Sequence, residues 1–462
     1  MSTNLKDAVP LSYLEDASGY RGYAEAYYAP SNEEEVLEVL ARARETATPV
    51  TVVGAGTGVT GGRCAHGGWV LSLEKFRRLE VNPGWARAGA GVSLKELQAA
   101  AAACGMFYAP DPTEWSASVG GTIATNASGS RSFRYGDTRR HVLGLRVALM
   151  DGSVLELRRG EPVPFEVPKI PLPASRKHSA GYLLWPGMDY LDLFVGSEGT
   201  LGVVLEAELK LLPAVADLLT GVVFFSSEEL ALAAVAAWRP VPKLRMLEYM
   251  DAGSLALIRP RFPEIPRGAG AALLIEQELD GEDSEEIDAW EERLRESGAL
   301  EEASWFASQA TDRERFRRFR HALPELVNER VRRTGFLKIG SDYAVPFERN
   351  EEMMRFYRQR LEEEFPGRYV IFGHIGDAHV HVNILPESER DSERGRQLMV
   401  EFAAKAVELG GTVGAEHGLG KRKSHLLHLL YASEHFEAMK AVKRRLDPQW
   451  LLGRDTLFDS SG

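Results

Sequence analysis

Apolar and polar positions follow two different rhythms along this chain. In the first half, short apolar runs are separated by glycine-rich turns; in the second, strands give way to longer, strongly charged helical patterns. SNEEEVLEVLARARET sets Val36, Val39 and Leu40 at helical spacing behind Ser31. With its early glutamates at the positive end, it predicts a helix capped by Ser31. The strand TPVTVVG follows and feeds GAGTGVTGG, residues 54–62. Next come the strand WVLSLEKF, a hairpin centred on Asn82-Pro83-Gly84, and a strand-to-helix transition with Ser93 as N-cap. RVALMDGSVLEL predicts a hairpin with an Asp-Gly turn. EPVPFEVPKIPLPASRKHSAGYLL, with five prolines, reads as a crossing loop, and GVVLEAELKLL closes a first module near residue 215.

From Thr220 the pattern changes. GVVFFSSEELALAAVAAW predicts a strand then a helix, LRMLEYMD a strand, and GAALLIEQELDGEDSEEIDAWEERLRESG a strand then a long charged helix. A further helical region is expected in ASWFASQATDRERFRRFRHALPELVNER, and a strand, loop and helix in LKIGSDYAVPFERNEEMMRFYRQRLEEEF. Strands with helices on one side describe an α+β cap. In HIGDAHVHVNIL, His374 to Leu385, a Gly376-Asp377 turn runs into a strand with His379, His381 and Asn383 on one face. The tail predicts a helix ending before Asp447-Pro448. The expected division is 1–215, 216–430 and 431–462.

Composition narrows the classes. At 462 residues the chain can build two or three domains, and its net charge of −12 argues against nonspecific nucleic-acid binding. Cys64 and Cys104 are too few for a disulfide scaffold and fit a reducing compartment. MSTNLKDAVP shows no basic-then-apolar leader, and no run of about eighteen apolar residues occurs. A cytoplasmic protein is expected, with peripheral attachment to the inner face of a membrane left open.

The chemistry concentrates in a few stretches. GAGTGVTGG carries five glycines in nine residues just after a strand, so its amides can face a pyrophosphate. It is neither GxGxxG nor a Walker loop. In PDPTEWSASVGGTIATNASG, a rigid Pro110-Asp111-Pro112 bend precedes small residues that let backbone approach a large ligand closely. This glycine-rich stretch reads as a loop. Gly196 to Thr200 form a second small-residue turn. HIGDAHVHVNIL and TVGAEHGLGKRK (412–423) hold four of the eleven histidines, His374, His379, His381 and His417, beside Asp377 and Glu416. That density of imidazole and carboxylate suits metal ligation or acid/base work.

These loops, with RYGDTRRHVLGL and DLFVGSEGTLGVVLEAELKLLP, closely resemble the FAD-binding module of the vanillyl-alcohol oxidase/PCMH superfamily. The chain is similar to the branch with D-lactate dehydrogenase, D-2-hydroxyglutarate dehydrogenase and the flavin-carrying subunit of glycolate oxidase. The resemblance implies an α+β fold. A PCMH-type two-subdomain FAD-binding module comes first, then a cap whose antiparallel sheet covers the flavin, then a C-terminal helical segment. It implies that Gly54, Ala55, Gly56, Thr57 and Gly58 cradle the FAD pyrophosphate. Pro110, Gly120, Gly121, Thr125, Ala127 and Gly129 would line the diphosphate and the flavin edge. Glu198, Gly199, Gly202 and Val203 would lie around adenine, ribose and the neighbouring backbone. Where many relatives attach FAD through a histidine near the first loop, this chain has Val59 and Thr60, so non-covalent FAD is expected.

In the second half, Arg320 in FRRFRHALPE matches the arginine that holds a substrate carboxylate, although His321 replaces the usual glutamate. HIGDAHVHVNIL matches HxGDxxxHxNIL, which implies His374, His381 and Glu416 as ligands of a divalent metal (zinc, manganese or iron). His417 would be the base. His379 stands where relatives commonly have asparagine, and its role is open between a further ligand, a donor behind the ligands, and a plain substitution. The implied function is FAD-dependent dehydrogenation of a D-2-hydroxy acid, such as glycolate or D-lactate, to the 2-oxo acid by hydride transfer to flavin N5. Alternatives are an oxygen-using oxidase, the flavin subunit of a multi-subunit glycolate oxidase, or an alkyl-glycerone-phosphate-synthase-like enzyme. Outside this class stand a silent FAD-binding subunit and a metallohydrolase. The electron acceptor (quinone, cytochrome, electron-transfer protein or oxygen) and association as a homodimer or with partner subunits are left open.

Overall fold

The computed structural model describes residues 9–281, 285–308 and 310–459. Most of the N-terminal stretch read for a leader lies outside the described residues. Two larger sheets and a two-stranded one, Met106–Phe107 with Leu212–Pro213, build the first half among the described residues. Strands Ala26–Tyr28, Trp69–Ser72 and Val50–Val53 pair in parallel with Trp69–Ser72 in the middle. An antiparallel sheet follows the order Leu79–Asn82, Trp85–Gly89, Val203–Lys210, Val142–Ala148, Val154–Arg158. Val203–Lys210 alternates buried and half-exposed residues, the pattern of a sheet with one face on the core.

Local chemistry sets the helix starts, with two departures from expectation. Ser93 caps Leu94–Ala103 in a full capping box with Glu96, as its spacing predicts. Helix Glu33–Glu45 is instead capped by Asn32, whose side chain accepts from the Glu35 amide, while Ser31 bonds the Glu35 carboxylate. The glycine-rich stretch expected as a loop contains a short helix, Val119–Thr125, capped by Ser118 and ended by Asn126 in the left-handed region.

The second half is organised on an eight-stranded sheet. Its order is Trp305–Ala307, Asp217–Phe225, Ala271–Leu279, Leu244–Asp251, Tyr369–Gly373, His379–Ile384, Ile339–Gly340, with Tyr343–Ala344 also on His379–Ile384; every pairing is antiparallel. Helices cover both of its faces, not one. Glu228–Trp238 and Glu285–Glu296 pack on the side of Val223 and Phe225. Ala252–Ile258 and Ala310–Thr334 pack on the side of Val222 and Phe224. The reason is in the strands: Leu244–Asp251 is buried throughout, so each face exposes apolar surface that needs cover. One continuous core joins this cap to the first module, and the tail returns there through a bridge from Leu452 to Val50. Among the described residues, no helix is long and apolar enough to cross a membrane.

Candidate active site

Strand Tyr369–Gly373 ends at His374, the chain turns through Ile375–Asp377, and strand His379–Ile384 returns antiparallel. This hairpin brings the His374 and His381 rings to 5.4 Å between centroids. Gly373, at φ +125, leaves room for the His381 ring, which a Cβ would meet at 2.9 Å. Glu416 and His417 come from the 412–423 loop, whose amides at 415, 416 and 417 all donate to the Asp342 carboxylate. Glu416 Oε1 then lies 2.9 Å from His374 Nε2, 3.3 Å from His381 Nε2 and 3.9 Å from His417 Nε2.

The donor set fits a divalent cation. His374, His379, His381 and Glu416 can bring ligand atoms within 4.8 Å of one another, as can Asp342, His381, Glu416 and His417. Two imidazoles and a carboxylate are ordinary zinc or manganese donors. His374 also has a carboxylate on its far nitrogen, Glu248 Oε1 at 2.5 Å from Nδ1, the arrangement that fixes a ligating imidazole. Burial opposes charging of His374, but Glu248 and Glu416 override it and push the ring up to about 9.

His379 stands in the first of these sets, and its ring nitrogens also approach Asp342 and Lys177. Nε2 lies 3.1 Å from Asp342 Oδ1, and Nδ1 lies 3.4 Å from Lys177 Nζ. Burial, then the Lys177 charge, pushes its pKa down to about 3. Asp342 Oδ1 also lies 3.4 Å from His417 Nδ1, and the His417 ring stacks on His381 at 5.1 Å. Burial outweighs Asp342 and pushes His417 down to about 4, which keeps the imidazole neutral near pH 7.

Three residues of the first module grip the other Glu416 oxygen: Ser128 Oγ at 2.5 Å, the Gly129 amide at 3.1 Å and Lys177 Nζ at 2.8 Å. One carboxylate therefore links the histidine cluster to the glycine-rich loop. Sequence reasoning missed Lys177 and Glu248 as site residues and read Ser128 only as one of the small residues beside a large ligand. A lone lysine in a proline-rich loop and a glutamate in an apolar strand carry no local motif. Arg320 is legible but indirectly placed: its Nε donates to Glu248 Oε2 at 3.0 Å, so Glu248 ties it to His374.

The expected cofactor residues divide into two groups. Ala55 and Gly58 are exposed on the loop after strand Val50–Val53. A Cβ on Gly54 would run into Ser118 Oγ, with Gly121 Cα 3.8 Å away, so the loop lies against the capped start of helix Val119–Thr125. A Cβ on Gly129 would strike the Asp111 carbonyl, and one on Gly120 would lie 2.8 Å from Ala90. Glu198 accepts from the Leu419 and Gly420 amides at 2.8 Å each. Burial pushes Glu198 up to about 7 against those amides. Gly202 and Val203 instead face the core, where Gly202 makes room for Val147 and Phe194. The cradle of side-chain-free backbone fits the phosphates of FAD. His66, the nearest histidine to the first loop, is engaged by Tyr20 OH at 2.6 Å and Asp455 at 2.9 Å.

Residues 24–158 match a family model described as FAD binding domain, and residues 216–456 match one described as FAD linked oxidases, C-terminal domain. The chain belongs to the FAD-linked oxidase family. Among curated relatives, a glycolate oxidase subunit GlcD from Bacillus subtilis is 31% identical over 463 residues, covering 97% of this chain and 92% of the relative. A D-lactate dehydrogenase from Archaeoglobus fulgidus is 33% identical, covering 92% of this chain and 89% of the relative. A D-2-hydroxyglutarate dehydrogenase from Xanthomonas citri is 30% identical over 93% of this chain and 88% of its own length. A solved alkyldihydroxyacetonephosphate synthase shares the fold at a TM-score of 0.67 and 15% identity, over 94% of this chain and 77% of its own. This family member is an FAD-dependent oxidoreductase related to D-2-hydroxy acid dehydrogenases and oxidases.

Proposed function

We propose that the protein oxidises a D-2-hydroxy acid to the 2-oxo acid at the junction of its two modules. The observation that carries this reading is Glu416. One of its oxygens meets His374 and His381, and the other meets Ser128 and Gly129 of the loop expected at the flavin. A hydroxy acid bound at the histidines would therefore lie beside that loop. When bound, FAD supplies the acceptor for the C2 hydrogen with its two electrons, and a divalent cation held by His374, His381 and Glu416 supplies Lewis acidity.

The chain's own groups account for the remaining work. Asp342 orients His417 through Nδ1, which leaves Nε2 to take the hydroxyl proton. Arg320, whose Nε is spent on Glu248, keeps its terminal nitrogens for a bidentate pair with the substrate carboxylate. Lys177 balances Glu416 and keeps that carboxylate in one orientation. The assay is production of a 2-oxo acid from glycolate, D-lactate or D-2-hydroxyglutarate with an artificial electron acceptor. Formation of a 2-oxo acid from at least one of them supports the reading; none from a broad hydroxy-acid panel overturns it. Repeating the assay with oxygen, a quinone, a cytochrome or an electron-transfer protein in place of the artificial acceptor distinguishes the acceptors.

A further inference from the structure

A cleft of about 370 Å³ opens between the modules behind the Ile375–Asp377 turn, and no residue of the histidine cluster lines it. Its lining includes Arg134 and Arg176 from the first module and Arg239 and Lys243 from the cap, with no acidic side chain among the lining residues. Two of these guanidinium groups lie over aromatic rings. Arg239 lies over Phe347 at 4.1 Å, and Arg176 over Phe133 at 5.6 Å.

The four cations are unequally matched. Arg134 pairs with Glu278 at 3.1 Å, and Lys243 pairs with Asp280. Arg176 reaches only buried Asp377, at 3.4 Å, and that carboxylate also lies 3.8 Å from Lys177 and accepts from Ser132. Arg239 has no carboxylate within ion-pair distance among the described residues; its one hydrogen bond goes from Nε to the Gly376 carbonyl at 2.9 Å. Burial, then repulsion from Arg176, pushes Arg239 below its ordinary value, with the Asp377 and Glu348 carboxylates opposing, so the two guanidinium groups sense each other in the cleft. Two guanidinium groups in one cleft, with the buried Asp377 carboxylate as their common acid, leave positive charge that an anion balances.

We propose that this cleft binds the phosphate group of a small molecule, held by the guanidinium groups of Arg176 and Arg239. Its volume suits a small molecule rather than a macromolecule. A doubly charged phosphate offers enough oxygens to accept from two guanidinium forks at once, which a single carboxylate does less well. Arg134 and Lys243 would add charge at the rim.

Calorimetric titration of FAD-loaded protein with inorganic phosphate, at constant ionic strength set with chloride, tests this. Loading with FAD keeps the cofactor cradle filled. The expected result is one saturable site, weakened at least about tenfold by Arg239→Gln and by Arg176→Gln, and less by Arg239→Lys. The flavin spectrum and Tm establish that each variant is folded, and if Arg239→Gln is not, Arg176→Gln decides. Absence of saturable phosphate binding in the wild type, or wild-type affinity in either folded glutamine variant, overturns the proposal.

Discussion

The base proposed here, His417, depends on its placement. Burial pushes its pKa down to about 4, and its Nδ1 lies 3.4 Å from Asp342 Oδ1. Replacement by alanine should slow anaerobic flavin reduction roughly 10²- to 10⁴-fold, with the flavin absorbance of the purified protein retained. Stopped-flow spectroscopy checks this, and an unchanged rate would remove His417 as the base. Glu248 acts through other residues, since it holds His374 on one oxygen and Arg320 on the other. Glu248→Gln should weaken divalent-metal binding about 10- to 100-fold, read by metal titration of FAD-loaded protein. Equal affinity in both proteins would show that His374 needs no such partner. At this scale the sequence names the polar ends of the site and not what supports them. His374, His381, Glu416 and His417 stand in two dense motifs, and the structure brings them together. Ser128, Lys177 and Glu248 lie 288, 239 and 126 positions from their partners, beyond any local pattern.

At the level of elements, periodicity locates the strand His379–Ile384 and its turn because alternation and Gly376-Asp377 are both local signals. Helix Val119–Thr125 escapes the same reasoning. Its second and third residues are glycines, which read as loop, and the Ser118 cap together with packing against Ala90 makes it a helix anyway. The two-sided cover of the cap sheet is likewise tertiary, since a continuous apolar run does not say how many helices will reach it. Glycine matters most at Gly129, where φ is +119 and the Asp111 carbonyl occupies the space of a Cβ. Gly129→Ala should cost at least about 1–3 kcal/mol of backbone strain and displace the amide that holds Glu416. Loss of FAD on gel filtration, read as a lower ratio of flavin to protein absorbance, with a reduced Tm, is the expected outcome; wild-type retention of both would place that loop elsewhere.

For the whole molecule, two histidines outside the cluster couple stability to acid. Burial holds His141 down to about 4 and His178 down to about 3, the latter between Thr412 Oγ1 at 2.8 Å and Tyr431 OH at 3.0 Å. Above about pH 6.5 these rings are neutral folded or unfolded, so they contribute no pH dependence. Below it the unfolded chain binds protons that the folded one refuses, and stability is lost as pH falls toward 4 and 3, at roughly 1.4 kcal/mol per unit for each ring. His178→Gln keeps a donor and an acceptor without titrating, so its Tm should fall less between pH 6.5 and 4.5 than that of the wild type. Parallel profiles would contradict that assignment. The claim that joins all three scales is that the histidine cluster and the FAD cradle form one oxidising site. The direct measurement is anaerobic titration of the FAD-loaded protein with D-lactate, glycolate and D-2-hydroxyglutarate, each against its L form where one exists, followed at the visible flavin band. The account predicts bleaching by a 2-hydroxy acid, with no bleaching by the L form where one exists. A flavin that stays oxidised with every member of the panel would contradict it.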